Sequence, residues 1–302
     1  MKIGDLSGLR GEKEVDATGL IVAPGIVDIH NHSDITIFLD PQAKNLVLQG
    51  ITTVVIGNCG ATPAPIVDKR KPVEEIWKPY SRIIPFKWSS FKEYLDALNS
   101  LPKSINLAPL VGYNTIRATI MGFENREPTE REMEAMKKCV ENAMLAGAFG
   151  LSSGLIYSPG VYGKTEEIVE LAKVASRHGG IYATHIRNES DLVVDAVLEA
   201  IEIGRRGLIP VQIAHHKVLG ARNRRKAKVT LGLIDHYREN GVNVTVDVYP
   251  YTAGMTSLFA LLPPWARENG IEETIRKLSS IEYREKVVKC LEEALGEWEN
   301  LM

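Results

Sequence analysis

Four short stretches of the chain carry residue types suited to holding a divalent metal: His30-Asn31-His32, Cys59, His185, and His215-His216-Lys217. In an extended segment, residues i and i+2 project the same way, so His30 and His32 can face one ion. Cys59, in VVIGNCGATP, follows a β-branched run and has glycines close on either side. A thiolate is a strong zinc ligand, and the metal itself keeps it deprotonated. His185 (YATHIRNE) and His215 (VQIAHHK) each close an apolar run of β type. A lone histidine at a strand end is most often structural, and a lone cysteine is most often a small buried thiol. Histidines at three strand ends, converging with a cysteine, point instead to a metal centre. Adjacent strand residues face opposite ways, so His216 reads as a neighbour rather than a ligand. His178 and His236 fall on helical patterns and read as solvent-facing or packing residues, as do Cys139 and Cys290 as packing thiols.

These residues need a scaffold that brings strand ends together. From residue 20 the chain alternates β-branched runs with amphipathic stretches, which implies parallel strands joined by crossover helices. Strands are expected over Gly25–His30, Thr52–Gly57, Asn106–Leu110, Ala148–Ser153, Gly180–His185, Ile209–His215 and Val242–Tyr249. Helices are expected over Thr129–Ala146, Thr165–His178, Leu192–Arg206 and Val229–Asn240, stopped by Gly147, Gly179, Gly207 and Gly241. The expected fold is an α/β TIM-type (β/α)8 barrel, whose metal site lies at the C-terminal strand ends. Only seven strands can be placed, so the expectation is a barrel lacking strand eight.

The domain reading follows: residues 1–22 as a partial β-sandwich segment, 23–258 as barrel strands one to seven, and 259–302 as the start of an insertion between strands seven and eight. Ala61–Ser89, rich in Pro, Lys and Trp, reads as a long loop over the barrel mouth. An open barrel would expose the edges of its first and seventh strands.

Bulk properties remove other classes. With 302 residues, 36 Lys+Arg and 38 Asp+Glu, the net charge of −2 offers nothing to nucleic acid or an anionic membrane. No apolar run reaches the roughly 18 residues of a membrane span, and the N-terminus lacks the apolar core of a signal peptide. Three cysteines do not make a disulfide framework. The expected location is the cytoplasm.

The stretches VAPGIVDIHNHSD, QGITTVVIGNCGATPAP, FGLSSGLIYSPG, YATHIRNE, IAHHK, DVYPYTAG and LPPWA resemble the D-aminoacylase (N-acyl-D-amino-acid deacylase) family of the amidohydrolase superfamily, from about residue 20 to 270. Relatives of dihydroorotase and hydantoinase type bridge two metals with a carboxylated lysine after strand four. Here that strand reads GLSSGLIYSPG, without a lysine, while Cys59 stands where the D-aminoacylases carry a cysteine. The resemblance implies zinc-dependent hydrolysis of N-acyl-D-amino acids, with a tight zinc on Cys59, His185 and His215 and a second, weaker metal position at His30 and His32. It also implies substrate contacts from Lys217, Tyr157 and Tyr249. A cationic lysine suits a substrate carboxylate, and a tyrosine hydroxyl can stabilise an oxyanion.

The family's acid/base aspartate after strand eight, and an arginine beyond it, have no counterpart in the sequence. The family serine after the strand-seven tyrosines is replaced by Met255, with Thr256 and Ser257 nearby. Asp247 does not match the missing aspartate. The expectation is a chain that binds zinc but needs a separate C-terminal polypeptide for full activity. The alternatives are a cyclic amidase of dihydroorotase or hydantoinase type, and an inactive metal-binding fragment.

Overall fold

Parallel pairing in chain order dominates the computed structural model, which describes residues 4, 8–66, 76–78 and 80–295. Strands β1 (Ile26–Asp28), β2 (Ile51–Ile56) and β3 (Asn106–Pro109) form one parallel sheet in that order. Strands β4 (Val111–Gly112), β5 (Gly150–Gly154), β6 (Ile181–His185), β7 (Val211–Ile213) and β8 (Val244–Val246) form a second. Leu110, fully buried, joins β3 to β4 and donates its N–H to the Ile56 carbonyl at 2.9 Å. The third expected strand is thus one extended stretch shared between two sheets. All seven expected strands are present, each short. Among the described residues β1 pairs only with β2 and β8 only with β7, so the row has two edges. Ile26 and Val27 on β1 are more than half exposed. Sequential parallel order with crossover helices is the arrangement of a (β/α) barrel.

The crossover helices form where the apolar period placed them. Glu130–Ala146 starts with a capping box, in which Thr129 and Glu132 satisfy each other's backbone N–H groups, and stops at Gly147 with φ 115°. Thr165–Arg177 and Val193–Gly207 pack side by side over the sheet. Gly207 is not the expected stop; Leu208 takes the left-handed position instead, with φ 52°. A Cβ on Gly207 would meet Ala172 Cβ at 3.0 Å, so the glycine serves close helix approach. Lys226–Glu239 begins three residues earlier than expected. Among the described residues two nine-residue helices were not expected from the sequence, Phe91–Asn99, capped by Ser90 and Glu93, and Tyr113–Met121, almost wholly buried, nor were the single turns Lys44–Val47 and Leu258–Leu261. The segment expected to start an insertion carries helices Ile271–Lys277 and Ile281–Leu295, and residues 296–302 lie outside the described ones.

Residues 8–22 form no strand, and Val15, Leu20, Ile21 and Val22 are largely exposed. Of the partial β-sandwich segment expected over residues 1–22, residues 1–3 and 5–7 lie outside the described residues. The same holds for residues 67–75 of the expected long loop. Its described parts close on their own start through Trp77 Nε1, which donates to the Thr62 carbonyl at 3.1 Å, and Trp88 Nε1, which donates to the Pro63 carbonyl at 2.9 Å, while Thr62 Oγ1 accepts from the Gly112 N–H of β4 at 3.1 Å. Among the described residues no helix is long and apolar enough to cross a membrane.

Candidate metal centre

Every candidate ligand lies at or just beyond the C-terminal end of a strand. His30 and His32 follow β1, Cys59 follows β2, His185 ends β6 and His215 follows β7. Their side chains meet at Cys59. Its buried Sγ lies 3.6 Å from His30 Nε2, 3.8 Å from His185 Nδ1 and 3.6 Å from His215 Nε2. His30 Nε2 is in turn 3.3 Å from His32 Nε2.

These separations suit a metal. With Zn–S near 2.3 Å and Zn–N near 2.0–2.1 Å, tetrahedral geometry sets S···N edges of about 3.6 Å and N···N edges of about 3.3 Å. Hydrogen bonding accounts for the cluster less well, because three imidazole nitrogens converge on one sulfur that is a weak donor and a weak acceptor. The ligand atoms of His30, Cys59 and His215 all lie within 4.8 Å of one another. His30 therefore stands as close to Cys59 as the histidines that the resemblance assigns to the tight site. Without an ion, burial pushes the Cys59 thiol far up and pulls the His185 imidazole down to about 3. The pocket disfavours charge on these groups until a cation supplies the balance.

Two of these residues are held in the left-handed region, Cys59 at φ 55° and His215 at φ 36°. Such strain persists only where the surroundings over-determine it. Around Cys59 the clamp is Ser152 on β5, whose hydroxyl donates to the Gly57 carbonyl and accepts from the Gly60 N–H. Asn114, against which Gly60 of the same turn packs, is fixed to β5 by accepting from the Gly154 N–H at 3.0 Å and donating to the Gly154 carbonyl at 2.9 Å. Gly154 packs so closely that a Cβ there would lie 2.2 Å from the Cys59 carbonyl oxygen. Around His215 the clamp is Asp247, just past β8, which accepts from the His215 backbone N–H at 2.6 Å and from Gln212 at 2.9 Å. The same carboxylate lies 3.7 Å from His30 Nδ1.

Glu189 stands behind two of the histidines. Its Oε1 is 3.0 Å from His215 Nδ1 and 3.7 Å from His185 Nε2, on the sides of the rings away from Cys59. Burial works against its charge. The hydrogen bond from His215 and the nearby positive groups outweigh that and hold it down to about 2. A carboxylate behind a metal-binding imidazole fixes tautomer and ring orientation.

Sequence reasoning missed Glu189 and Ser152 and set Asp247 aside. Glu189 was visible four residues after His185, but only folding shows that it reaches His215 as well. His216 turns away as expected, although its neighbour is not extended; its Nε2 is 2.9 Å from Thr230 on the crossover helix. His178 and His236 are exposed, and the three cysteines are unpaired.

The three residues expected at the substrate also gather here. Lys217 Nζ donates to Glu189 at 2.6 Å and lies 5.6 Å from the centre of the Tyr249 ring. The Tyr157 ring packs edge-on against His185, with centroids 4.9 Å apart, and its hydroxyl is 3.2 Å from Thr256 Oγ1. A cavity of about 510 Å³ opens over the cluster, lined by His32, Cys59 and Tyr157 among others. That volume is in the range of small-molecule sites.

Comparison with known proteins agrees with this architecture. Residues 13–283 match the amidohydrolase family. The D-aminoacylase of Alcaligenes xylosoxydans xylosoxydans is 40% identical over 259 residues, 85% of this chain and 52% of that protein. A structure of D-aminoacylase, described by its binuclear metal centre with one-metal activation and second-metal attenuation, superposes with a TM-score of 0.75 at 37% identity. It covers 82% of this chain and 52% of its own. The N-acyl-D-glutamate deacylase of Bordetella bronchiseptica, solved with zinc and a phosphonate mimic of the tetrahedral intermediate, gives a TM-score of 0.71 at 38% identity, covering 78% and 49%. The chain spans about half the length of the relatives it matches. It belongs to the amidohydrolase family, on the branch that holds the D-aminoacylases.

Proposed function

We propose that the chain forms the metal-binding part of a zinc-dependent deacylase, which hydrolyses the amide bond of N-acyl-D-amino acids to a carboxylate and a free D-amino acid. The observation that carries this reading is the convergence of His30, His185 and His215 on the Cys59 sulfur at 3.6–3.8 Å, beneath a cavity of substrate size. The donor set of Cys59, His185 and His215 would hold the tight ion, with His30 and His32 forming a second position beside it. A zinc ion there supplies Lewis acidity toward the acyl carbonyl and lowers the pKa of a coordinated water.

The chain's own residues do the rest. Glu189 and Asp247 hold the histidines in register from behind. Lys217 brings a cation to the rim of the cluster, partly balanced by Glu189, and suits the substrate carboxylate. The Tyr157 hydroxyl, whose pKa burial pushes well up, stays a neutral donor suited to a developing oxyanion. The lack of a lysine on β5, where Ser152 clamps the Cys59 turn instead, favours this reading over a cyclic amidase. The free, sparse cysteines accord with a cytoplasmic enzyme.

The test is release of free amine from N-acetyl-D-methionine against N-acetyl-L-methionine, with hydantoin ring opening as the third arm. The zinc-loaded chain is assayed alone and with a polypeptide matching the C-terminal half of the relatives. Faster hydrolysis of the L-substrate, or ring opening in place of amine release, overturns the assignment.

A further inference from the structure

Three arginines among the described residues have deeply buried or mostly buried guanidinium groups, and they differ in one respect. Arg117, fully buried, lies 3.2 Å from Glu167. Arg187 makes a fork to Glu199, with both bonds at 2.9 Å. Arg267, only 3% exposed, has no carboxylate partner among the described residues. Its Nη1 donates to the Ile156 carbonyl at 2.7 Å, and its Nε is buried without any acceptor. A buried cation without a counter-charge is costly, and proteins keep one only where something else supplies the anion.

The position of Arg267 says where that anion comes from. It ends the short 3-10 helix Pro264–Arg267 and lines the same cavity as His32, Cys59 and Tyr157. The lining combines apolar Phe123, Phe259 and Ile271 with the neutral hydroxyls of Ser158, Thr256 and Ser257, and among the described residues it holds no carboxylate. The titratable groups that act on Arg267 are the phenols of Tyr162 and Tyr157, neutral at ordinary pH, and burial works against its charge. Lys217, the other cation of the site, already has Glu189 at 2.6 Å. Arg267 therefore lines the cavity without a carboxylate partner among the described residues, whereas Lys217 stands at the metal cluster with Glu189.

The geometry points to Arg267 as the anion anchor of the cavity, taking a carboxylate of the bound N-acyl amino acid. This rests on the deacylase reading for the identity of the ligand. A guanidinium suits the task because its planar fork meets both carboxylate oxygens. An anion there completes the hydrogen bonding of a group that is otherwise left short, and an uncharged ligand of the same shape does not.

The test is binding, so that it stands apart from turnover. N-Methanesulfonyl-D-methionine, whose sulfonamide resists hydrolysis, and its carboxamide are titrated calorimetrically into the zinc-loaded chain. The acid is expected to bind roughly 10- to 100-fold more tightly than the carboxamide. Arg267→Gln removes that preference and Arg267→Lys keeps part of it. Equal binding of acid and carboxamide by the unaltered chain overturns the inference, even if the variants fail to fold. So does a folded Arg267→Gln that still prefers the acid.

The N-methanesulfonyl-D-glutamate series, amidated at one carboxyl or the other, shows which carboxylate is held. The affected one is that whose loss makes Arg267→Gln indistinguishable from the unaltered chain. Acid-selective binding without amine release from N-acetyl-D-methionine would retain the anchor and remove the deacylase reading. Amine release with no acid preference does the reverse.

Discussion

Glu189 Oε1 lies 3.0 Å from His215 Nδ1, on the opposite side of the imidazole from the Cys59 sulfur that faces Nε2 at 3.6 Å. The ring is held between a carboxylate and a thiol, which leaves Nδ1 protonated and Nε2 free to ligate.

Replacing Glu189 by Gln removes the charge and keeps the shape. The expected result is a 10- to 100-fold loss of zinc affinity. Competition with a chromophoric chelator measures it. Unchanged affinity would show that the carboxylate does not orient the ligands.

Asp247→Ala strips the acceptor from the His215 N–H, which is held at φ 36°. An unsatisfied buried donor costs about 1–3 kcal/mol. Denaturant unfolding should show a loss of that order, accompanied by weaker zinc binding because His215 is free to relax. Lost stability with normal zinc affinity would assign Asp247 to the fold alone.

Gly154→Ala forces a methyl group against the Cys59 carbonyl, 2.2 Å from its ideal position. Overpacking of this kind costs about 1–3 kcal/mol. Because the contact is the ligand's own turn, zinc retention after dialysis should fall along with the melting temperature. Full retention at normal stability would mean that the turn shifts without moving Sγ.

The zinc-free chain should be acid-sensitive well above the carboxylate range. Burial pulls His185 down to about 3, against an unfolded value near 6.5. As pH falls below about 6.5, the unfolded chain takes up a proton that the native chain refuses, so stability declines until pH nears 3. Glu189, held down to about 2, adds a second loss once pH drops below the ordinary carboxylate value. Melting temperatures between pH 7 and 4.5 report the buried histidines, His32 included, which burial pulls down to about 4, and His185→Gln should reduce that slope. An equal slope in the variant sinks the assignment.

The Cys59 and histidine stretches were legible because strand ends in a parallel α/β chain share one face, and period alone locates those ends. Cys59, His185 and His215 could therefore be picked from residue type and position. The same logic placed seven strands and four crossover helices to within a few residues. Tyr113–Met121 was not legible, since a helix buried on nearly all sides has no polar face to give it a period.

The sequence by itself thus determined the strand order, the common face and the kind of ligand offered there. Tertiary structure decided which groups stand behind those ligands. Glu189 reaches a histidine 26 positions away, Asp247 one 32 positions away, and Arg267 meets the cavity from beyond the last strand. Hydrogen bonds and charge pairs act over a few ångströms regardless of separation along the chain. Only closure of the fold, which leaves Arg267 buried and short of an anion, shows which partner each polar group has and which one still lacks it.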